Sequence, residues 1–325
     1  MTEAGGEGFV FAVASGKGGV GKSTTTANLG VALADDGFDV AVVDVDLGMA
    51  NLAGLLGVDE DVTLHDVLAG DASPSEATYD AHGVTLVPGS TDLEQFAEAD
   101  AKALHRVVTH LRADHDVVLL DAGAGLSYDI AMAMSVADGV LLVTTAELNS
   151  LTDATKTGKL VSKLEKPVVG AVFTRTGDGG FDDVEGIAAA LGTTDAVTVS
   201  VPHDDAVKLA VRKSRPVVDL KPESPAARAY GRLAASLADS VGMEPSTPAA
   251  GEEETEEDAF EWVDPDTGEA DEPAEPETAD EEPAADGPVY EISIEELMAE
   301  AGVDSDDEAA ERRVKLFDRV KSKFS

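Results

Sequence analysis

A glycine-rich octapeptide carries the strongest chemical signal in the sequence. Residues 16–23 read GKGGVGKS and match the pattern G-x-x-x-x-G-K-[ST]. They follow the apolar run FVFAVA, which predicts a strand, and they precede a stretch with helical spacing. Glycines let successive backbone N–H groups turn toward phosphate oxygens, and the positive end of the following helix attracts the same negative charge. The octapeptide therefore predicts a phosphate-binding loop.

Two side chains of this loop have chemistry that follows from their type. The ammonium of Lys22 can reach the β- and γ-phosphates of a nucleoside triphosphate, and the Ser23 hydroxyl can bind Mg²⁺. A second lysine, Lys17, follows the first glycine, where an ordinary phosphate-binding loop does not need one. The predicted nucleotide contacts in this segment are Gly16, Lys17, Gly18, Gly19, Val20, Gly21, Lys22, Ser23 and Thr24.

Aspartates stand at the ends of two further apolar runs. Asp44 and Asp46 belong to the segment DVDLGMANL after the second run, and Asp121 follows the run VVLL. An apolar strand that ends in aspartate is typical of the Walker B arrangement, in which the carboxylate holds Mg²⁺ through a water. Asp121 is therefore predicted to belong to the metal site. Gly125 is predicted to let the following loop respond to the γ-phosphate.

The alternation of apolar and helical segments over residues 1–241 predicts how these residues are positioned. The apolar runs are continuous, which is typical of parallel strands covered on both faces. Strands are predicted at Phe9–Ala14, Val40–Val45, Val84–Val87, Val117–Leu120, Val140–Thr144, Val168–Phe173 and Val197–Val201. Helices are predicted at Ser23–Asp35, Ala101–Ala113, Tyr128–Ala137, Ser150–Leu164, Asp183–Leu191 and Pro225–Val241. Such alternation predicts an α/β fold with a doubly wound, mainly parallel sheet.

The loop with its two lysines resembles the deviant Walker A ATPases of the MinD/ParA type, whose loop reads KGGxGK[ST]. The resemblance covers residues 8–241 and implies ATP and Mg²⁺ as cofactors. It also implies an ATP-dependent homodimer in which Lys17 contacts the phosphates held by the partner. Asp46 then places the attacking water, while Asp44 supports its loop or the outer shell of the metal. The catalytic set implied by the resemblance is Lys17, Lys22, Asp46 and Asp121.

The sequence departs from the family pattern at several points. Gly123 stands where the family has the proline of D-x-P-A-G, which loosens the backbone there. Thr174 replaces an asparagine that the family places beside the adenine, so the reading of the base by this residue is in question. The resemblance still places Thr174, Arg175 and Pro202 around the base. A lone loop histidine, His203, is not expected to be catalytic.

Composition and charge exclude several classes of protein. The 325 residues contain no cysteine, which excludes disulfide scaffolds, thiolate metal sites and the metallocluster carriers related to this family. The net charge is −42, and residues 1–250 alone contain 37 acids and 17 bases. Such a body repels a nucleic-acid backbone, so nucleic acid is an unlikely partner. The acidity is typical of an intracellular protein of a halophile, because a salt-rich cytosol screens self-repulsion.

The sequence divides into four segments. Residues 1–243 form the predicted ATPase domain, and residues 244–288 form an acidic linker with too little apolar surface to fold. Residues 289–302 predict a short helix, with a capping box at Ser293–Glu296, that is a possible contact for a protein adaptor. Residues 303–325 contain an acidic lead-in and a basic amphipathic helix.

That last helix separates two functional hypotheses. Between residues 311 and 325 it places Val314, Leu316, Phe317, Val320 and Phe324 on one arc and most of its six bases opposite, which is typical of an in-plane membrane anchor. We therefore expect a MinD-like ATPase that is cytoplasmic and peripherally membrane-associated, binds and hydrolyses ATP, and positions a cellular assembly. The assembly is a division component or polar motility or chemosensory machinery. The alternative is a ParA-like ATPase that partitions DNA or protein cargo without membrane binding.

Overall fold

A computed structural model describes residues 8–90, 103–177 and 197–245. Its strands are β1 (Phe9–Ser15), β2 (Val40–Val45), β3 (Tyr79–Ala81), β4 (Val84–Val87), β5 (Val117–Ala124), β6 (Gly139–Thr145), β7 (Val168–Thr176) and β8 (Val197–Pro202). They form one sheet in the order β3-β4-β2-β5-β1-β6-β7-β8. Only β3 pairs antiparallel, with β4, among the strands described. The predicted mainly parallel sheet is confirmed.

Helices cover both faces of this sheet. They are α1 (Lys22–Asp35), α2 (Leu52–Leu56), α3 (Leu64–Ala69), α4 (Leu104–Asp114), α5 (Tyr128–Val136), α6 (Leu148–Lys163), α7 (Asp205–Arg212), α8 (Val217–Leu220) and α9 (Pro225–Val241), with a 3₁₀ turn at Pro74–Ala77. Helices α3 to α6 contribute to one apolar cluster, and α1, α2, α7, α8 and α9 contribute to the cluster on the opposite face. The described part of the domain is therefore a three-layer α/β structure.

The continuous apolar runs follow from this double covering. In the central strand β1, Val10 and Ala12 pack into one cluster, whereas Phe11 and Val13 pack into the other. All four side chains are at most 1% exposed. Successive residues of a strand point to opposite faces, so a strand buried on both faces needs apolar residues at every position. Each large side chain buried in this way stabilises the fold by roughly 1.5–3 kcal/mol.

The predicted element bounds agree with the structure within a few residues, with two kinds of exception. Strand β5 continues through Asp121 to Ala124, because its neighbours still pair there: Asp44 is in register with Asp121, and Ser15 with Ala124. The prediction also missed β3, α2, α3, α7 and α8. These elements have three to eight residues, which is too short for hydrophobic periodicity to reveal.

Several predictions lie wholly or largely outside the described residues. They are the helix at Asp183–Leu191, the linker at 244–288, the short helix within 289–302 and the amphipathic helix within 303–325. Within the described ranges, no helix is both long enough and apolar enough to cross a bilayer.

Candidate functional site

The phosphate-binding loop connects the end of β1 to the start of α1, and its shape depends on glycine. Gly19 and Gly21 have φ angles of +76° and +97°, in the left-handed region that side chains rarely adopt. Gly16 packs against α6 so closely that a Cβ atom would lie 2.3 Å from the Asp153 carbonyl carbon. Gly21 caps α1, so the helix begins at Lys22. The positive end of α1 therefore lies beside the loop, as an anion site requires.

Lys22 and Asp121 form a buried ion pair beneath the loop. The Lys22 Nζ atom lies 2.8 Å from Asp121 Oδ1, and the two side chains are 7% and 0% exposed. The Thr26 hydroxyl, which sequence reasoning did not single out, donates to the same carboxylate oxygen at 2.8 Å. Thr26 lies one helical turn after Lys22, and that spacing is the signal that could have identified it. The structure thus brings together the end of β5 and the first turn of α1.

The residues around this pair fit a magnesium ion. Asp121 Oδ2 is buried and has no hydrogen-bond partner in the described part of the chain, so it can accept from a metal-bound water. The Ser23 Oγ atom lies 3.3 Å from Lys22 Nζ, close to the same carboxylate. The described residues contain no cluster of three or more acidic, histidine or cysteine side chains. This agrees with Mg²⁺ chemistry, since the ion commonly uses one or two carboxylates together with waters and substrate phosphates.

Asp44 anchors the loop that follows β2. Its buried carboxylate accepts backbone N–H groups from Asn51 at 2.8 Å and Leu52 at 2.9 Å through Oδ2, and from Asp46 at 3.2 Å through Oδ1. Burial, and then the neighbouring Asp121 carboxylate, raise the pKa of Asp44 well above its usual value. Two roles were predicted for Asp44, and these contacts agree with the first, which is to support the loop after β2. A place in the outer shell of the metal stays a prediction.

Asp46 lies at the same edge of the sheet and is half-buried. Its Oδ1 atom accepts the Met49 backbone N–H at 3.2 Å. A Cβ atom on Gly123 would lie 3.4 Å from that oxygen, so the glycine that replaces the family's proline packs directly against Asp46. The carboxylate therefore contacts the loop that follows β2 and the last residues of β5. The placement of an attacking water by Asp46 stays a prediction.

A buried histidine that sequence reasoning missed supports the same loop. The His65 Nε2 atom lies 3.0 Å from the Leu47 carbonyl, and the Ser90 backbone N–H donates to Nδ1 at 2.9 Å. Because Nδ1 accepts, Nε2 carries the proton and the ring is neutral. Burial lowers the pKa of His65. The sequence signal that could have identified His65 as buried is its position inside the apolar segment TLHDVL. His65 ties the segment after Asp46 to the end of β4.

Lys17 lies apart from the buried pair. Its side chain is 47% exposed, and its Nζ atom lies 3.8 Å from Glu147 Oε2, whose side chain is 73% exposed. A contact at that distance between exposed groups stabilises a single chain little. Its ammonium is therefore accessible for a contact outside this chain, and its role across a dimer stays a prediction.

A cleft of about 600 Å³ opens beside the loop. The loop contributes Val20, Gly21 and Thr24, and the opposite walls come from the end of β7, the end of β8 and α7. The structure thus brings the predicted base contacts Thr174, Arg175 and Pro202 to one cleft. Its other lining residues are Val201, His203, Asp204, Val207, Lys208, Val211, Arg212 and Tyr230.

Two of the predicted base contacts hold the loop itself. The Thr174 hydroxyl donates to the Val20 carbonyl, and the Arg175 guanidinium donates to the Gly19 carbonyl at 2.7 Å. Arg175 adopts a left-handed φ of +55° to do so. These contacts fix the loop against the end of β7. The exposed bases Lys208 and Arg212 complete the rim of the cleft, a position that the sequence analysis did not predict for them.

Comparisons with known proteins agree with this geometry. The chain is 40% identical over 236 residues to an ATP-binding protein of Methanocaldococcus jannaschii. The aligned region covers 70% of this chain and 87% of that relative. The cell division ATPase MinD of Pyrococcus furiosus superposes with a TM-score of 0.65 at 39% identity, over 72% of this chain and 98% of that one. The septum site-determining protein MinD of Pyrococcus horikoshii, in complex with Mg-ADP, superposes with a TM-score of 0.64 at 38% identity, over 70% of this chain and 94% of that one.

A family model supplies the classification. The model for the CobQ/CobB/MinD/ParA nucleotide-binding domain matches residues 11–217, a range that begins in β1 and ends in α8. That range includes the loop, both aspartate-bearing strands and every described lining residue of the cleft except Tyr230. Because the match spans well over half of the chain, the protein belongs to the CobQ/CobB/MinD/ParA family of nucleotide-binding domains.

Proposed function

We propose that this protein is a MinD-type ATPase that dimerises on Mg-ATP, associates with a membrane surface through residues 311–325, and is released by hydrolysis. The observation that carries the enzymatic part is the buried Lys22–Asp121 pair under a glycine loop, with Asp46 at the same sheet edge. The proposed cycle positions a cellular assembly. The two similar Pyrococcus proteins, described as a cell division ATPase and a septum site-determining protein, support that proposal.

The ion pair suggests how nucleotide binding changes the site. Without nucleotide, Lys22 neutralises Asp121 at 2.8 Å. When the phosphates occupy the loop, the lysine turns its charge to their oxygens, and Asp121 is freed to accept from a metal-bound water. Ser23 would hold Mg²⁺ directly and Asp121 would hold it through a water, and the ion would supply positive charge to the phosphate oxygens. The exchange keeps the buried charges of Lys22 and Asp121 compensated at each stage.

Hydrolysis then depends on placing a water and neutralising charge. Asp46 orients the water for attack on the γ-phosphorus, and the Gly123 backbone leaves it room to do so. Lys22 neutralises charge from within the chain, and Lys17 of the second copy neutralises it from outside. Positioning and electrostatics of this kind account for most of the catalysis of phosphoryl transfer. The exposed ammonium of Lys17 fits this role, because its contact with the exposed Glu147 carboxylate at 3.8 Å restrains it little.

The membrane part of the proposal rests on avidity. One short amphipathic helix binds a bilayer weakly, and two helices on a dimer bind more tightly because the second binding event is intramolecular. Binding that follows dimerisation would therefore follow ATP. A ParA-like role on DNA has some support from Lys159 and Lys163 on α6 and from Lys166 just after it, none of which has an ion pair within the described residues. Their charge is small against the acidic body, so we favour the membrane.

Two variants test the enzymatic proposal. Lys17→Ala should bind Mg-ATP as the wild type does and should stay monomeric by light scattering, whereas Lys159→Ala, a lysine on the exposed face of α6, should dimerise normally. Asp46→Ala should bind ATP and dimerise, yet hydrolyse at least about 100-fold more slowly in a single turnover, because only the placement of water is lost. Normal ATP-dependent dimerisation of Lys17→Ala would contradict the role across the dimer. Rapid hydrolysis by Asp46→Ala would transfer that role to another residue.

A further inference from the structure

The Thr26 hydroxyl lies between two acceptors beneath the phosphate loop. Thr26 is fully buried on α1, and its Oγ1 atom lies 2.8 Å from Asp121 Oδ1 and 3.1 Å from the Lys22 carbonyl oxygen. A hydroxyl has one proton to donate. The Lys22 carbonyl already accepts a backbone N–H one turn later in α1, whereas the carboxylate is both nearer and charged. The proton therefore points to Asp121.

The fold places this hydroxyl without a long, mobile side chain. A threonine in a helix has two favoured χ1 rotamers, because its hydroxyl can approach a carbonyl of the preceding turn. Thr26 adopts a rotamer that brings Oγ1 to the Lys22 carbonyl, and the same rotamer delivers it to Asp121. Asp121 is in register with Val13 of β1, the strand that leads through the loop into α1. The pairing of β1 with β5 therefore sets the distance between hydroxyl and carboxylate.

The two oxygens of Asp121 are unequally bonded. Oδ1 receives both Lys22 and Thr26, whereas Oδ2 has no partner within the described ranges. The terminal torsion of an aspartate is broad, so its hydrogen bonds decide which way the carboxylate faces. In the proposed cycle the phosphates attract Lys22 away. Thr26 is then the one donor to Oδ1 that remains among the described residues.

We propose that Thr26 is a positioning residue for the magnesium site. Its hydroxyl keeps Oδ1 bonded to α1 after Lys22 has turned to the phosphates, so that Oδ2 keeps facing the place where a metal-bound water would lie. Partners of this kind, which orient a metal-binding carboxylate without touching the ion, typically change metal affinity about 10–100-fold when they are removed. Thr26 therefore sets how strongly Mg²⁺ tightens nucleotide binding.

The inference rests on the proposed nucleotide-binding function, and one pair of titrations separates the two. ADP is titrated calorimetrically into the full chain in excess Mg²⁺ and again in EDTA, and the ratio of the two dissociation constants gives the gain from the metal. The wild type should gain about tenfold or more, and Thr26→Val should lose most of that gain. A wild type that binds ADP equally well in EDTA, or a Thr26→Val variant weakened equally in both titrations, would overturn the inference alone. Binding of ADP in neither titration would overturn the proposed function as well.

Three further variants separate positioning from packing. Thr26→Ser restores the hydroxyl and should keep most of the gain from Mg²⁺. Thr25→Val makes the same change one residue earlier, at an equally buried threonine whose hydroxyl does not bond Asp121, and should keep the whole gain. If Thr26→Val fails to fold, Thr26→Ala decides by the same ratio. A Thr26→Ser variant that loses as much of the gain as Thr26→Val or Thr26→Ala would overturn the inference, and so would an equal loss in Thr25→Val.

Discussion

Replacement of Lys22 by methionine removes the one cation that, among the described residues, bonds the buried Asp121 carboxylate, and it keeps most of the volume of the side chain. At 2.8 Å and an effective dielectric constant of about 20, the lost attraction is about 6 kcal/mol before desolvation is counted. Desolvation of both groups offsets part of it, and Thr26 still donates to Oδ1. Breaking a buried pair from one side costs about 3–5 kcal/mol, because a charge is left uncompensated. We expect a loss of this size in the nucleotide-free protein.

Urea unfolding of the nucleotide-free chain measures this loss, and a double-mutant cycle isolates the pair. Asp121→Asn should cost less than Lys22→Met, because a long lysine side chain can move its ammonium toward water whereas Asp121 cannot leave its strand. The double variant should recover most of the stability, since it leaves no buried charge. Two results would contradict this role of the ion pair. Either Lys22→Met lowers the free energy of unfolding by less than about 1 kcal/mol, or the double variant is no more stable than Lys22→Met.

Three further predictions concern the loop, a buried histidine and the terminal helix. Gly16→Ala should lower stability by about 1–3 kcal/mol in thermal unfolding, because its Cβ would lie 2.3 Å from the Asp153 carbonyl carbon. The free energy of unfolding should fall as pH drops below about 6.5, because the unfolded chain then protonates His65 while the folded chain, where its pKa is lowered, does not. Phe317→Glu should abolish ATP-dependent sedimentation with anionic liposomes in about 1 M salt, whereas Lys315→Gln should matter little there, since the Debye length is about 3 Å.

Each of these three has a matched control. Gly54→Ala places its Cβ in open space on a short helix, so it should not destabilise, and equal losses at both glycines would contradict the packing argument. His65→Gln should flatten the pH dependence of stability below about pH 6.5, and an unchanged slope would assign that dependence to another group. If Lys315→Gln abolishes sedimentation in high salt and Phe317→Glu does not, the terminal helix binds a charged partner rather than lipid.

The sequence alone determined the phosphate loop and the class of fold. The loop can be predicted because its chemistry is local: glycines at fixed offsets set the backbone angles, and Lys22 and Ser23 follow them directly. The strands can be predicted because a strand buried on both faces needs an apolar residue at every position. Short elements cannot be predicted in this way, because they contain too few residues to show a period; they are β3, α2, α3, α7 and α8.

Only the tertiary structure decided which distant groups meet. Thr26 and Asp121 are 95 residues apart in the chain, and they touch because β1 pairs with β5 and α1 follows β1. Among the described residues, Asp121 Oδ2 has no hydrogen-bond partner. The sequence predicted Thr174 as a base contact. In the structure its hydroxyl donates a hydrogen bond to the carbonyl of Val20, which lies 154 residues earlier in the chain. Contacts of this kind depend on sheet order and register, and no local pattern encodes them.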